Sequence, residues 1–311
     1  MSKKNWKCTC KPTNPNIEIR DIHFELYLNP YIQKTYSRVY DVLINNHKRT
    51  YEAIYKEIRE DTKEVAKKFE QEAYEAISTS YIDEYDDGSD YYQEIEEYIV
   101  SRVQEEFLMH YQFELMSLSN LYQVFEQQLR KWLFEEMTNR HNEYINQIEI
   151  TLKSDEDYGT FYSQFGALTK VLKELNLTFT MPLEVEWSDE DLKNLFSLVE
   201  EVVEIPIVET EIWRSIRECN LISNTFKHGN GHSAKVLYKI RPELFKKIDE
   251  TKLMNLYLTT NLEEVLDVDK VSFEKYANAM KDFWNKMKSH QSGSIKLEID
   301  ISSENNIEEK A

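Results

Sequence analysis

The residues of this chain with the clearest capacity for polar chemistry lie between Trp213 and Arg241, WRSIRECNLISNTFKHGNGHSAKVLYKIR. Arg214, Arg217, Lys227, Lys235, Lys239 and Arg241 stand there against a single acid, Glu218. The segment from Arg214 to Arg241 therefore carries +5, which leaves −24 for the remainder of a chain whose net charge is −19. A basic island in an acidic protein is suited to an anion, above all to phosphate groups, RNA included. On a helical wheel at 100° per residue, Arg217, Asn220, Asn224, Lys227 and His228 share one face. Ile212, Ile216, Cys219, Ile222 and Phe226 take the opposite one. The polar face offers N–H donors and an imidazole with almost no carboxylate. His228 is expected as the last helical residue before Gly229-Asn230-Gly231. The negative end of the helix dipole there favours the protonated ring. Such a histidine can move a proton in phosphodiester chemistry, hold a phosphate, or cap the last carbonyls of its helix.

The elements that must position these residues are mainly helices. Only six Gly and six Pro occur in 311 residues, and no proline lies between Pro30 and Pro182. Sheets with their turns need more punctuation than that. The expected fold class is all-α, a long antiparallel helical hairpin packed with a helical bundle, with one short C-terminal strand. Residues 1–30 read as a tail with an extended lead-in, 31–290 as one helical domain whose hairpin covers 31–137, and 291–311 as a polar tail. In the first arm, Val39, Leu43, Ile54, Ile58, Val65 and Phe69 recur at helical spacing. In the second, Leu108, Tyr111, Leu115, Leu118, Tyr122, Phe125, Leu129 and Trp132 step by three and four. Further helices are expected over 159–175, from the capping residue Ser188 to just before Pro206, over 207–228, 233–240, and from the cap Ser272. Leu177–Trp187 reads as extended, and the alternation Ile295, Leu297, Ile299, Ile301 as the strand.

The run NLISNTFKHGNGHSAKVLYKIRPELF resembles the signature region of the HEPN superfamily of helical proteins, and SLSNLYQVFEQQLRKW resembles the core helix that precedes it there. Together they cover about residues 100–245. In that alignment His228 matches the family histidine and Asn224 the polar residue before it. The arginine that the family carries shortly before the histidine is absent: Leu221, Ile222 and Ser223 occupy those places. The resemblance implies an RNA-directed protein, as a metal-independent ribonuclease of a toxin–antitoxin or phage-defence system, acting as a homodimer or with a protein partner. The same superfamily includes inert modules, so a non-catalytic regulator or scaffold is the alternative. His228, Asn224 and Glu126, the last orienting the imidazole from the second hairpin arm, are the catalytic candidates. Arg217, Asn220, Lys227, Lys235 and Arg241 are the phosphate-binding candidates.

The remaining patterns bound the reading. Three cysteines, Cys8, Cys10 and Cys219, form no disulfide framework and no zinc spacing. No run of 18 apolar residues and no signal peptide are apparent, so a cytoplasmic protein with no membrane association is expected. The acidic turn from Asp83 to Glu94 imitates a calcium loop, with Asp87 and Gly88 in place but Tyr85 at a ligand position; a solvated turn is the simpler reading. No phosphate loop, nucleophile elbow or dinucleotide fingerprint is present. No metal or other cofactor is expected.

Overall fold

The low content of helix breakers is realised as a mainly α-helical chain in a computed structural model. The structure describes residues 17–77, 89–139, 168–182, 202–229, 231–248, 251–252 and 265–300. Contacts divide the chain into two units: one of Lys34–Glu126 with Glu211–Asn285, the other of Met1–Gln33, Gln127–Thr210 and Lys286–Ala311.

The first unit contains the helical hairpin. Its rising arm comprises α1 (Pro30–Thr50), a π-helical turn (Tyr51–Tyr55), α2 (Lys56–Glu60) and α3 (Thr62–Ala76). Asp61 caps α3 by accepting the Glu64 N–H on its side chain. The returning arm is α4 (Ser89–Met137). His47 meets Phe113 and Glu114, whereas Arg102 lies over Phe69 and beside Glu72, so the arms run antiparallel. Tyr55, Val65 and Phe69 form a buried cluster with Ile99, Val103, Phe107 and Phe113 packed around it. The stripe of α4 is buried as its spacing predicts: Leu115, Leu118 and Phe125 are inaccessible to solvent. Ile54, expected on the stripe of the first arm, is instead 57% exposed. The π-turn admits an extra residue to the helical circuit and rotates the following positions, so that Tyr55 takes the buried place.

Three further described helices belong to this unit: α6 (Glu211–His228), α7 (His232–Ile240) and α8 (Phe273–Lys286). Ser272 caps α8, accepting the Lys275 N–H on Oγ at 3.2 Å. Ile216, Cys219 and Ile222 of α6 are buried as the wheel predicts. Cys219 Sγ donates to the Leu118 carbonyl of α4 at 3.8 Å, and Ser223 Oγ, whose hydrogen goes to the Cys219 carbonyl at 2.8 Å within α6, packs 3.4 Å from the same Leu118 oxygen. Phe125, Trp213, Phe283 and Trp284 form an aromatic core between α4, α6 and α8.

In the second unit, β1 (Ile17–Tyr27) pairs antiparallel with β6 (His290–Asp300), from Ile17 opposite Asp300 to Tyr27 opposite His290. The extended lead-in is therefore a strand, and β6 begins before the predicted alternation. Ile22, Phe24 and Leu26 are buried and alternate with exposed Asp21, His23, Glu25 and Tyr27. Trp132 Nε1 donates to the Tyr27 carbonyl at 3.3 Å, and Glu136 accepts the Tyr27 N–H at 2.8 Å. Helix α5 (Leu168–Glu174) precedes β2 (Thr178–Pro182), which pairs antiparallel with β3 (Val202–Pro206). Residues 202–205 were expected to end a helix. Val202, Val203 and Ile205 are β-branched and meet the open edge of β2, and this pairing prevails. A short hairpin, β4 (Lys247–Ile248) with β5 (Thr251–Lys252), lies in the first unit's range between α7 and α8. The predicted helix portions at 159–167 and 188–201, and the imitation calcium turn through Gly88, lie outside the described residues. Among the described residues no helix is long and apolar enough to cross a membrane.

Candidate functional site

Helix α6 ends where the glycines require it. Gly229 has φ 64°, a conformation that side chains with a Cβ rarely adopt, and its N–H closes the helix on the Thr225 carbonyl at 2.9 Å. The turn leads directly into α7, so His228 ends one helix and His232 begins the next. Lys227, His228, His232 and Lys235 are all exposed around this corner.

Asn220 and Asn224 are brought together. Asn224 Nδ2 donates to Asn220 Oδ1, and Asn220 Nδ2 donates to the Tyr122 hydroxyl at 2.9 Å. This chain of amides ties the polar face of α6 to α4 and orients both side chains. Glu126, half-buried on α4, is hydrogen-bonded to neither Asn224 nor His228. Arg217 precedes His228 by 11 positions on α6, about 16 Å along a helix rising 1.5 Å per residue. These two residues are not neighbours.

Arg241 belongs to another cluster. Its guanidinium donates to Glu218 and Glu243, and Glu218 also accepts from Lys275 at 3.1 Å and from the Tyr276 hydroxyl. Burial opposes ionisation of Glu218, but Tyr276, Arg241 and Lys275 together hold its carboxyl below the usual range. Burial, reinforced by Glu218, pushes the Tyr276 hydroxyl far upward. Arg241 thus acts as an internal tie between the end of α7, α6 and α8.

A second constellation escaped the sequence reading. His47 of α1 and His110 and Glu114 of α4 line a cavity of about 320 Å³. His47 Nε2 lies 3.1 Å from Glu114 Oε2, a hydrogen bond, and His110 Nε2 lies 3.5 Å from Oε1. Burial would raise the Glu114 carboxyl, yet His110 and His47 more than offset it and bring it to about 2. The His47 ring is sandwiched between Phe113, centroids 5.0 Å apart, and Phe273, 4.1 Å apart. Tyr51 and Tyr55, at the two ends of the π-turn, pack on His110. A partial signal was present: His110 and Glu114 are spaced i, i+4 and so share one face of α4. Among the described residues no group of His, Cys, Asp and Glu is arranged to hold a metal ion.

No protein-family model, no curated protein and no solved structure matches the chain.

Proposed function

We propose that the chain is an RNA-directed protein that holds the phosphate backbone on the α6–α7 corner. One observation carries the reading. Elsewhere in this acidic chain lysines sit beside glutamates three or four residues away, as in Lys48–Glu52, Lys56–Glu60, Lys67–Glu64 and Lys170–Glu174. Arg217, Lys227, Lys235 and Lys239 form no ion pair among the described residues, and the one local acid, Glu218, is engaged by Arg241, Lys275 and Tyr276. Positive charge left uncompensated along α6 and α7, with Lys227 and Lys235 beside the imidazoles at their corner, matches what phosphate contacts use.

Binding is the core of this reading. His228 has the chemistry of a general acid or base, but scission within one chain lacks a bidentate cation beside it, because Arg217 is too far along α6. In the ribonuclease form of the reading, a homodimer supplies that charge.

The test is fluorescence anisotropy of a labelled single-stranded RNA and of tRNA, across about 50 to 200 mM salt. The wild type should bind, and its affinity should fall as salt rises. Lys227→Glu with Lys235→Glu should weaken binding about tenfold or more and reduce the salt slope by about 1.4, at roughly 0.7 per phosphate contact on a single strand. A wild type that binds no RNA at the lowest salt overturns the proposal. In parallel, metal-free incubation with total RNA reads scission: products lost in His228→Ala would establish the ribonuclease, and intact RNA would confine the activity to binding.

A further inference from the structure

Helix α6 carries one side chain whose hydrogen-bonding groups are only half used. From Leu221 to Phe226 every residue is buried except Asn224, which is half-buried. Its amide gives one N–H to Asn220 Oδ1, and Asn220 in turn gives one to the Tyr122 hydroxyl at 2.9 Å. The chain of donors runs one way, from Asn224 to α4, so the Asn224 amide is held in a fixed orientation. A structural tie needs no more than that one N–H. The second N–H of Asn224 and its Oδ1 make no hydrogen bond among the described residues. Lys227 and His228 stand exposed one helical turn further on the same face, about 5.4 Å along the axis. A phosphate held at Lys227 therefore brings its own nucleotide to the recessed amide.

The open pair is one donor beside one acceptor in a single plane. Its complement is an N–H beside an acceptor, which is what the edge of a nucleobase presents. Paired RNA cannot deliver such an edge: its bases spend their pairing edges on each other, and the major groove of the A-form helix is too deep and narrow for side chains to read. An amide set among buried neighbours is thus open to an unpaired base and closed to a duplex. Adenine has an N–H beside an acceptor nitrogen on both of its polar edges, whereas cytosine and uracil offer the complement on one. Guanine sets a second N–H beside the first, and the face shared by Arg217, Asn220, Asn224, Lys227 and His228 has no carboxylate to accept it. Phosphate contacts carry no sequence information, so a base contact here adds a selectivity that the lysines cannot supply.

We propose that Asn224 reads an unpaired adenine of single-stranded RNA, Oδ1 accepting from the N6 amino group and Nδ2 donating to the adjacent ring nitrogen. Asn220 and Tyr122 are positioning residues for that amide. The inference rests on the RNA-binding reading of the same corner.

Fluorescence anisotropy of the full chain tests it, with labelled oligouridylates of equal length that are all uridine or carry one central adenosine, cytidine or guanosine. The adenosine oligomer should bind about tenfold more tightly than the all-uridine one, within what a single bidentate base contact supplies. Asn224→Ala should bring that ratio to about one. Tyr122→Phe keeps the ring but removes the hydroxyl that anchors the amides, and should narrow the ratio; circular dichroism would verify that both variants fold. Lys227→Glu should weaken all the oligomers together and preserve the ratio. Annealing the complementary strand should abolish the preference. Equal affinity of the wild type for all the oligomers, preference for another base, or a ratio that survives Asn224→Ala would overturn this assignment and leave phosphate binding standing. Failure to bind any oligomer at low salt would overturn both.

Discussion

Two carboxylates, one buried and one half-buried, show how single residues set the character of this chain. Glu114 and Glu218 both lie in surroundings that oppose ionisation, and both are held ionised by donors that converge on them. For Glu114 the consequence for stability has a definite sign. Its carboxyl is lowered from 4.5 in the unfolded chain to about 2, so the stabilisation is fully present above about pH 4.5 and is lost as pH falls toward 2. The shift corresponds to at most about 3 kcal/mol. Glu114→Gln should therefore lower the urea midpoint at neutral pH, and its deficit against the wild type should shrink steadily below pH 4.5; parallel acid profiles would show that the carboxylate is not stabilising. Cys219 tests burial in the same way. Burial pushes its thiol up to about 12, so the thiolate is scarce at neutral pH and enclosed as well. Iodoacetamide should leave Cys219 unmodified in the native protein and label it in urea, read by peptide mass spectrometry; rapid native labelling would contradict the packing of α6 on α4.

At the scale of elements, Gly293 of β6 is the position where one added atom matters most. A Cβ there would stand 2.0 Å from the Leu175 carbonyl oxygen and 2.7 Å from its carbon, and backbone cannot yield as a flexible side chain does. Gly293→Ala should cost about 1–3 kcal/mol, the usual range for overpacking, whereas Ser292→Ala at the neighbouring exposed position should be nearly neutral. Equal unfolding midpoints for the two variants would show that the strand shifts freely. The elements also divide by how much of them the sequence revealed. The hairpin, α6, α7 and α8 were legible because period and caps agree: the buried stripe of α4, Gly229 after α6 and Ser272 before α8 are local signals. The pairing of β1 with β6 was not, because the partners lie more than 260 positions apart and neither carries a turn that announces the other. The π-turn was equally hidden, since Tyr51–Tyr55 fits an ordinary helical stripe, and only the exposure of Ile54 reveals the extra residue. Of the candidate site, the shared face of Asn220 and Asn224 followed from the wheel. The engagement of Arg241 by Glu218 and the meeting of His47 with Glu114 depend on contacts between helices that periodicity cannot pair.

At the scale of the whole molecule, charge imposes opposite demands. A net charge of −19 repels itself in any compact state, while the α6–α7 corner must hold a polyanion against that field. Salt separates the two effects because it screens both. Raising it from about 20 to 300 mM shortens the Debye length from roughly 20 Å to about 6 Å, which relieves repulsion between distant carboxylates and leaves close contacts such as the Glu114–His47 hydrogen bond largely intact. The thermal midpoint should therefore rise by a few degrees over that range, as read by circular dichroism at 222 nm, roughly the helix band. Affinity for RNA should fall over the same range, because binding releases counterions from the phosphates. Opposite slopes would locate the binding charge on a limited basic surface within an acidic molecule. A midpoint that falls with salt would mean that attractive surface pairs, and not the excess of acid, dominate its electrostatics, and the corner would then have no special standing among the chain's cations.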